Sequence, residues 1–180
     1  MLDSTRRAAI FWVAGVSAVL FGVSTIDAQE RKGNVDSNHS NVGFEVPIFG
    51  GISLVKGKFG DFWTQVDVRV VDGQLQMDKI VAVIQAKSVD TGIDQRDVHL
   101  RSPDFFSARK FPEIRFESDD IEKNGDGFIA HGKFTMRGIT KKIDLPIEVV
   151  GRNVNPENGK TNLGFVATIV IDRTEFDVSY

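Results

Sequence analysis

The side chains that could do chemistry are concentrated in "TGIDQRDVHLRSPDFFSARKFPEIRFES", residues 91–118. Between positions 96 and 104, Arg96, Asp97, His99, Arg101 and Asp104 supply two guanidinium forks, two carboxylates and an imidazole. An arginine pair suits the oxygens of a phosphate headgroup. The same groups can instead neutralise one another and fasten a segment to the body of the fold, because acids and bases are nearly balanced.

Catalysis finds little else to work with. His39, His99 and His131 are far apart and make no HxH or HExxH spacing, so only the fold could gather them around zinc. There is no GxSxG elbow, no P-loop and no GxGxxG after a strand. Ser88 and Thr91 have no base beside them in sequence. The absence of cysteine removes thiol nucleophiles and cysteine metal ligands. The expectation is a protein that is not an enzyme, with no catalytic residue, no metal site and no cofactor. A net charge of −3 gives no reason to expect nucleic acid as a partner.

The elements that must position this segment begin after an N-terminal extension. Arg6 and Arg7 precede an apolar run from Ala8 to Val23, and a short polar stretch ends in Ala28. That plan predicts a signal peptide over 1–28, cleaved after Ala28, and a periplasmic or secreted protein. The run is shorter than the roughly 20 residues that a spanning helix needs. Residues 29–38 form a polar lead-in, and 39–180 form one domain that needs no disulfide.

From residue 39 the pattern has period 2. Val42, Phe44 and Val46 share one face, as do Val66, Val68 and Val70. Ile114 and Phe116 alternate inward, and so do Phe128, Ala130, Gly132, Phe134 and Met136. Ile143, Leu145, Ile147 and Val149 continue the series, and "LGFVATIVI" supplies a last strand. About seven or eight strands with short polar turns predict an all-β antiparallel meander, a barrel more than a sandwich. Glycines inside the strands, Gly43, Gly57, Gly132 and Gly164, suit the bends of a coiled barrel. Pro146 should face outward near an edge or bulge.

The charged interruption reads as a helical cap. Ser102-Pro103-Asp104 resembles an N-cap followed by proline at the first helical position, which predicts a helix through "DFFSARK" that yields before Pro112. "GIDQRDVHL" can add another turn or two ahead of it. Phe105, Phe106 and Phe111 would then be its inward anchors. On the strands, Phe44, Phe59, Ile84, Phe116, Phe134, Phe165 and Ile169 are the candidates to line an interior, and plain core packing explains the same pattern.

Several segments are shared with a known family. "HSNVGFEV", "GKFGDF", "SVDTGIDQRDVHLRSPDFFSARKFPEIRFES", "GKFTMRGITKKIDLPIEV" and "GFVATIVIDRTEFDV" occur in order, and on them the chain resembles the YceI-like family. The resemblance implies a lipocalin-like barrel of about eight strands with a helix closing one end. It also implies a lumen for long amphiphilic lipids, chiefly isoprenoid quinones and polyprenyl phosphates, and in some members fatty-acid derivatives. On that basis the protein is expected to be an exported carrier of an amphiphilic lipid, monomeric or homodimeric, with transient membrane contact. Phe105 and Phe106 would form a lid, and Arg96, Asp97, His99 and Arg101 a headgroup or lid network. Three alternatives stay open: a fatty-acid or amide carrier, a stress-related interaction module with a filled core, and an enzyme acting on an isoprenoid.

Three features depart from the family pattern. "VPIFGG" has Ile48 near a position where the family often has histidine, and carries an extra residue. Phe176-Asp177 stands where "FG" is frequent, and the family usually continues into a further strand beyond the position of Tyr180. The expectation is that either a last strand is missing from the sequence or the barrel closes differently.

Overall fold

Alternation along the chain becomes antiparallel pairing. The computed structural model describes residues 9–14, 18–20, 31–34, 39–154 and 161–178. Arg6, Arg7, the expected cleavage point after Ala28 and Tyr180 lie outside the described residues. Three strands come from the N-terminal extension: β1 (Ala9–Ala14), β2 (Ala18–Leu20) and β3 (Arg31–Asn34). Then follow β4 (Asn41–Ile48), β5 (Ser53–Phe59), β6 (Phe62–Val71), β7 (Gln74–Gln85) and the two-residue β8 (Val89–Asp90). After the helix α1 (Asp94–Arg101) come β9 (Glu113–Asn124), β10 (Gly127–Met136), β11 (Ile139–Val154) and β12 (Thr161–Ile171).

One sheet holds them in the order β3-β6-β7-β9-β10-β11-β12-β1-β4-β5-β8, with β2 also on β12. Eight of these strands, β4 to β7 and β9 to β12, have seven residues or more. The alternation predicts β4, β6 and β9 to β12; β5 and β7 complete the set, and together they curl around one apolar core as a lipocalin-like barrel. The ladder itself is an open path whose ends are β3 and β8. The short β5–β6 turn is stitched across the curl, with Gly60 N–H donating to Ser88 O and Gln85 N–H to Asp61 O.

Inward residues follow period 2. Phe128, Ala130, Phe134 and Met136 on β10 are buried, as are Leu145 and Ile147 on β11. A bulge between His131 and Gly132 lets β9 pass close to β10, where a Cβ at Gly132 would lie 2.3 Å from Glu117 O. Val70 follows Val66 and Val68 on the same face but is 42% exposed, because it lies at the end of β6 next to the turn into β7. Pro146 is exposed as expected, although β11 is an interior strand. The β11–β12 ladder stops at Ile147↔Ala167, so no neighbour on that side asks Pro146 for a donor.

The helix lies earlier than the proline signal indicated. α1 ends at Arg101, and "SPDFFSARK" is a series of turns. Proline restricts the residue before it, and Ser102 is held extended (ψ 169°), so Ser102-Pro103 stops a helix here and does not start one. Ser107 then takes a left-handed φ of 49°, which breaks any continuation. Asp94 and Asp97 in the first turn, with His99 and Arg101 in the last, match the helix dipole.

Candidate functional site

The barrel encloses a lumen whose walls are almost entirely apolar. Val42, Val66, Ile80 and Met77 line one side, Ile143, Leu145 and Ile147 the other, and Thr64 is the single polar side chain among them. Of the residues expected to face an interior, Ile84, Phe116, Phe134, Phe165 and Ile169 line this space. The free volume is about 70 Å³. None of the lining side chains is charged, and the Thr64 hydroxyl is the one polar group in the wall.

Phe44, Phe59 and Phe106 sit elsewhere, in a buried cluster under the cap. Ring centroids are 5.5 Å apart for Phe44–Phe59, 5.7 Å for Phe59–Phe106 and 6.4 Å for Phe44–Phe106. Gly57 faces Phe44 across the β4–β5 pair, and a Cβ there would meet the Phe44 ring at 2.5 Å. The absence of a side chain is what lets that ring lie down. Phe105 is half-buried and meets the His99 ring edge-on at 5.0 Å.

The charged network fastens the cap to the chain that leads into it. Asp97, buried, accepts from Thr91 N–H (2.9 Å) and from the Thr91 hydroxyl (2.5 Å). Arg96 donates Nε–H to Thr91 Oγ1 at 2.8 Å and Nη2–H to Thr91 O at 3.0 Å. Arg101 spans Lys87 O and Val89 O, each at 2.7 Å. His99 Nε2 lies 3.2 Å from Asp104 Oδ2. Arg96 thus engages the hydroxyl and carbonyl of Thr91, and Arg101 the carbonyls of Lys87 and Val89.

The cap has further cations outside this network. Arg109, Lys110 and Arg137 line an open groove with Pro103, Ser107, Phe111, Ile139 and Asp177. Arg137 donates to Phe105 O at 2.6 Å and pairs with Asp177 at 3.4 Å, which ties the cap to the β10–β11 turn. Sequence adjacency of Arg109 and Lys110 was the available signal; its meaning depended on where the turn at Ser107 sends them.

Beyond Ile147↔Ala167, β11 and β12 part, and the gap is filled from the chain after β12. A 3-10 turn over Arg173–Phe176 places Phe176 and Val178 inside, 1% and 3% exposed, with Phe176 edge-on to Phe134 at 5.4 Å. Asp172 caps the turn by accepting from Thr174 N–H and Oγ1–H. The Thr174 hydroxyl, more than any charge, holds the Asp172 carboxyl below its ordinary pKa.

On the outer face two titrating clusters stand out. Glu117 is brought down to about 2 by hydrogen bonds from Arg115 and Lys79. His131 is raised above its ordinary value by its hydrogen bond to Asp144, with Glu122 also nearby. Both belong to the packing of the sheet and not to the lumen. Among the described residues no group of three His, Asp or Glu side chains is placed to hold a metal ion.

Comparison with known proteins agrees with this geometry. The YceI-like domain profile matches residues 34–180. A UPF0312 protein of Yersinia pestis (strain Pestoides F) is 32% identical over 164 residues, covering 91% of this chain and 83% of its own length. The crystal structure of a Campylobacter jejuni YceI protein superposes with a TM-score of 0.63 at 31% identity, covering 70% of this chain and 72% of that one. Burkholderia cenocepacia BcnA shares the fold at a TM-score of 0.53 and 14% identity, over 94% of this chain and 99% of its own. The chain belongs to the YceI-like family.

Proposed function

We propose that this YceI-like protein sequesters or carries one long amphiphilic lipid of isoprenoid type, a quinone or polyprenyl phosphate, in the barrel lumen without transforming it. The observation that carries this reading is the lining itself. Fifteen residues surround the space, and Thr64 is the one among them with a polar side chain. A lipid tail needs nothing more, since each buried methylene contributes about 0.8 kcal/mol. Export through a cleaved leader, and Phe105 and Phe106 as parts of a lid, belong to the same proposal.

A second reading, an interaction module with a filled core, is favoured by one number. About 70 Å³ is far below the roughly 300–1,000 Å³ of ligand pockets, so a lipid must push the walls apart. The seam between β11 and β12, plugged by Phe176 and Val178 instead of ladder bonds, is the place where the wall can yield. Native mass spectrometry of protein purified from its own host, followed by organic extraction, decides between the two. A discrete lipid with an isoprenoid ladder supports the carrier; an acyl amide or fatty acid redirects the ligand class. Protein that is empty and ignores added quinones and polyprenyl phosphates overturns the carrier reading.

A further inference from the structure

The segment "VPIFGG", singled out by sequence and unused by the lumen, forms the tip of a ribbon that leaves the barrel. The β1–β4 ladder stops at Glu45, while β4 and β5 stay paired through Val46↔Val55, Pro47↔Leu54 and Ile48↔Ser53. β8 touches β5 only at Lys58 and Phe59. Among the described residues, 46–55 are thus a two-stranded ribbon with no third strand on either side. Such a ribbon is marginal in water by itself.

Its composition is the reverse of what a free ribbon should have. Residues 46–55 contain no charge, and at the turn Phe49 is 76% and Ile52 89% exposed, with Leu54 at 49%. Phe49, Gly50 and Gly51 all have positive φ, at 50°, 68° and 92°. A phenylalanine held left-handed with its ring in solvent is disfavoured twice over, by backbone and by hydration, and among the described residues Phe49 stays 76% exposed.

We infer that this hairpin tip is a docking element for the surface of a phospholipid bilayer. The occupant is argued from geometry and charge. Phe49 and Ile52 lie in the turn, beyond the last paired residues, so they meet a partner end-on; a second copy adding a strand would engage the ribbon's edges. Below the uncharged tip come Lys56 and Lys58, with side chains 69% and 67% exposed. Their acidic neighbours are Glu45 at 2.7 Å and Asp90 at 3.7 Å. From Ile52 to Lys56 is roughly 13 Å at about 3.3 Å per residue. That spacing seats the tip about 5–10 Å below the headgroup boundary and leaves Lys56 among the phosphates, with Lys58, about 20 Å from Ile52, facing the anionic surface from above. The inference stands on the ribbon and does not depend on what the lumen holds.

The test is co-sedimentation of the full chain with sucrose-loaded vesicles of phosphatidylethanolamine and phosphatidylglycerol, and with phosphatidylcholine vesicles. F49S/I52S removes exposed groups only, and an unchanged urea midpoint confirms its fold. The expected result is at least a tenfold weaker partition of F49S/I52S on both vesicle types. K56S/K58S should lose about threefold on the anionic vesicles alone. Wild-type protein that ignores vesicles, or F49S/I52S that partitions like wild type, overturns the inference. A wild-type dimer in sedimentation velocity that F49S/I52S converts to monomer without altering vesicle binding overturns it in favour of a second copy.

Discussion

Leucine at position 82 separates a lumen kept open for a ligand from a core that is merely full. Ala82 is buried on β7, and its side chain lines the lumen. Unfilled apolar volume destabilises by about 24 cal/mol per Å³, so some 70 Å³ carries a penalty of about 1.7 kcal/mol. Ala82→Leu adds three carbons, each contributing about 0.8 kcal/mol if buried, and local strain removes part of that. The expected net is a gain of about 1 kcal/mol in delipidated protein. With a urea slope of about 2 kcal/mol/M, the midpoint rises by about 0.5 M. Lipid recovered per mole of protein purified from the host should fall in the same variant, a stability gain against a functional loss. Ala130→Leu is the control: Ala130 is 0% exposed and does not line the lumen, so overpacking there costs about 1–3 kcal/mol. The reasoning fails if both variants are destabilised alike, or if Ala82→Leu gains stability while bound lipid stays unchanged.

Three further perturbations test the network around the lumen. Asp97→Ala strands the Thr91 N–H and hydroxyl that it now accepts. A loss of about 1–3 kcal/mol is expected by urea denaturation, and a loss below about 0.5 kcal/mol would show that the cap is held by its phenylalanines alone. The folded pKa of His131 is raised, so its pairing stabilises fully below the unfolded value of 6.5 and is lost as pH rises through the folded value. His131→Ala should therefore lower the urea midpoint at pH 6 and leave it nearly unchanged well above the wild-type histidine titration, which NMR should place above 6.5. Glu117 is depressed from 4.5 to about 2, so its contribution is present above 4.5 and lost as pH falls through about 2. Because its side chain is 41% exposed, screening limits that contribution to about 1 kcal/mol, and Glu117→Gln should flatten the acid limb by no more.

Which parts of this architecture were legible beforehand follows from what each one depends on. The eight long strands depend on period 2, which is written in Val42 and Phe44, in Phe128 through Met136, and in Ile143 through Ile147. The lumen wall follows from the same alternation, but its emptiness does not. Whether Ile84, Phe116 and Phe165 meet or leave about 70 Å³ between them depends on curl and register, including the slip at His131 and Gly132. The role of the charged segment was half legible. Its residue types indicated fastening or headgroup binding, but the partners that decide the matter are the carbonyls of Lys87, Val89 and Thr91, and no sequence pattern marks a carbonyl. The helix position turned on one ambiguity: Ser-Pro can open a helix, yet proline equally forces the residue before it out of one.

The N-terminal extension carries the sharpest structural consequence of all. The six residues Ala9–Ala14 are all apolar and show no alternation, so nothing in them announced a strand; yet β1 fills the slot between β12 and β4. It pairs with β12 from Ala9↔Ile171 to Ala14↔Val166, and with β4 from Ile10↔Glu45 to Ala14↔Asn41. Cleavage after Ala28 would strip both neighbours of that partner. Either β4 and β12 then zip together, which narrows the barrel by one strand, or their edges stay bare and pair with another chain. The ladder between β11 and β12 is already incomplete, so without β1 the Thr168–Ile171 end of β12 would have no strand on either side. A chain lacking residues 1–28 is therefore expected to associate with rising concentration in sedimentation velocity. Its amides at 41–45 and 166–171 should exchange faster in the dilute monomer than in the full chain. A strictly monomeric protein with those amides equally protected would mean that β4 and β12 pair directly, and that residues 1–28 hold a place the shortened barrel can close without them.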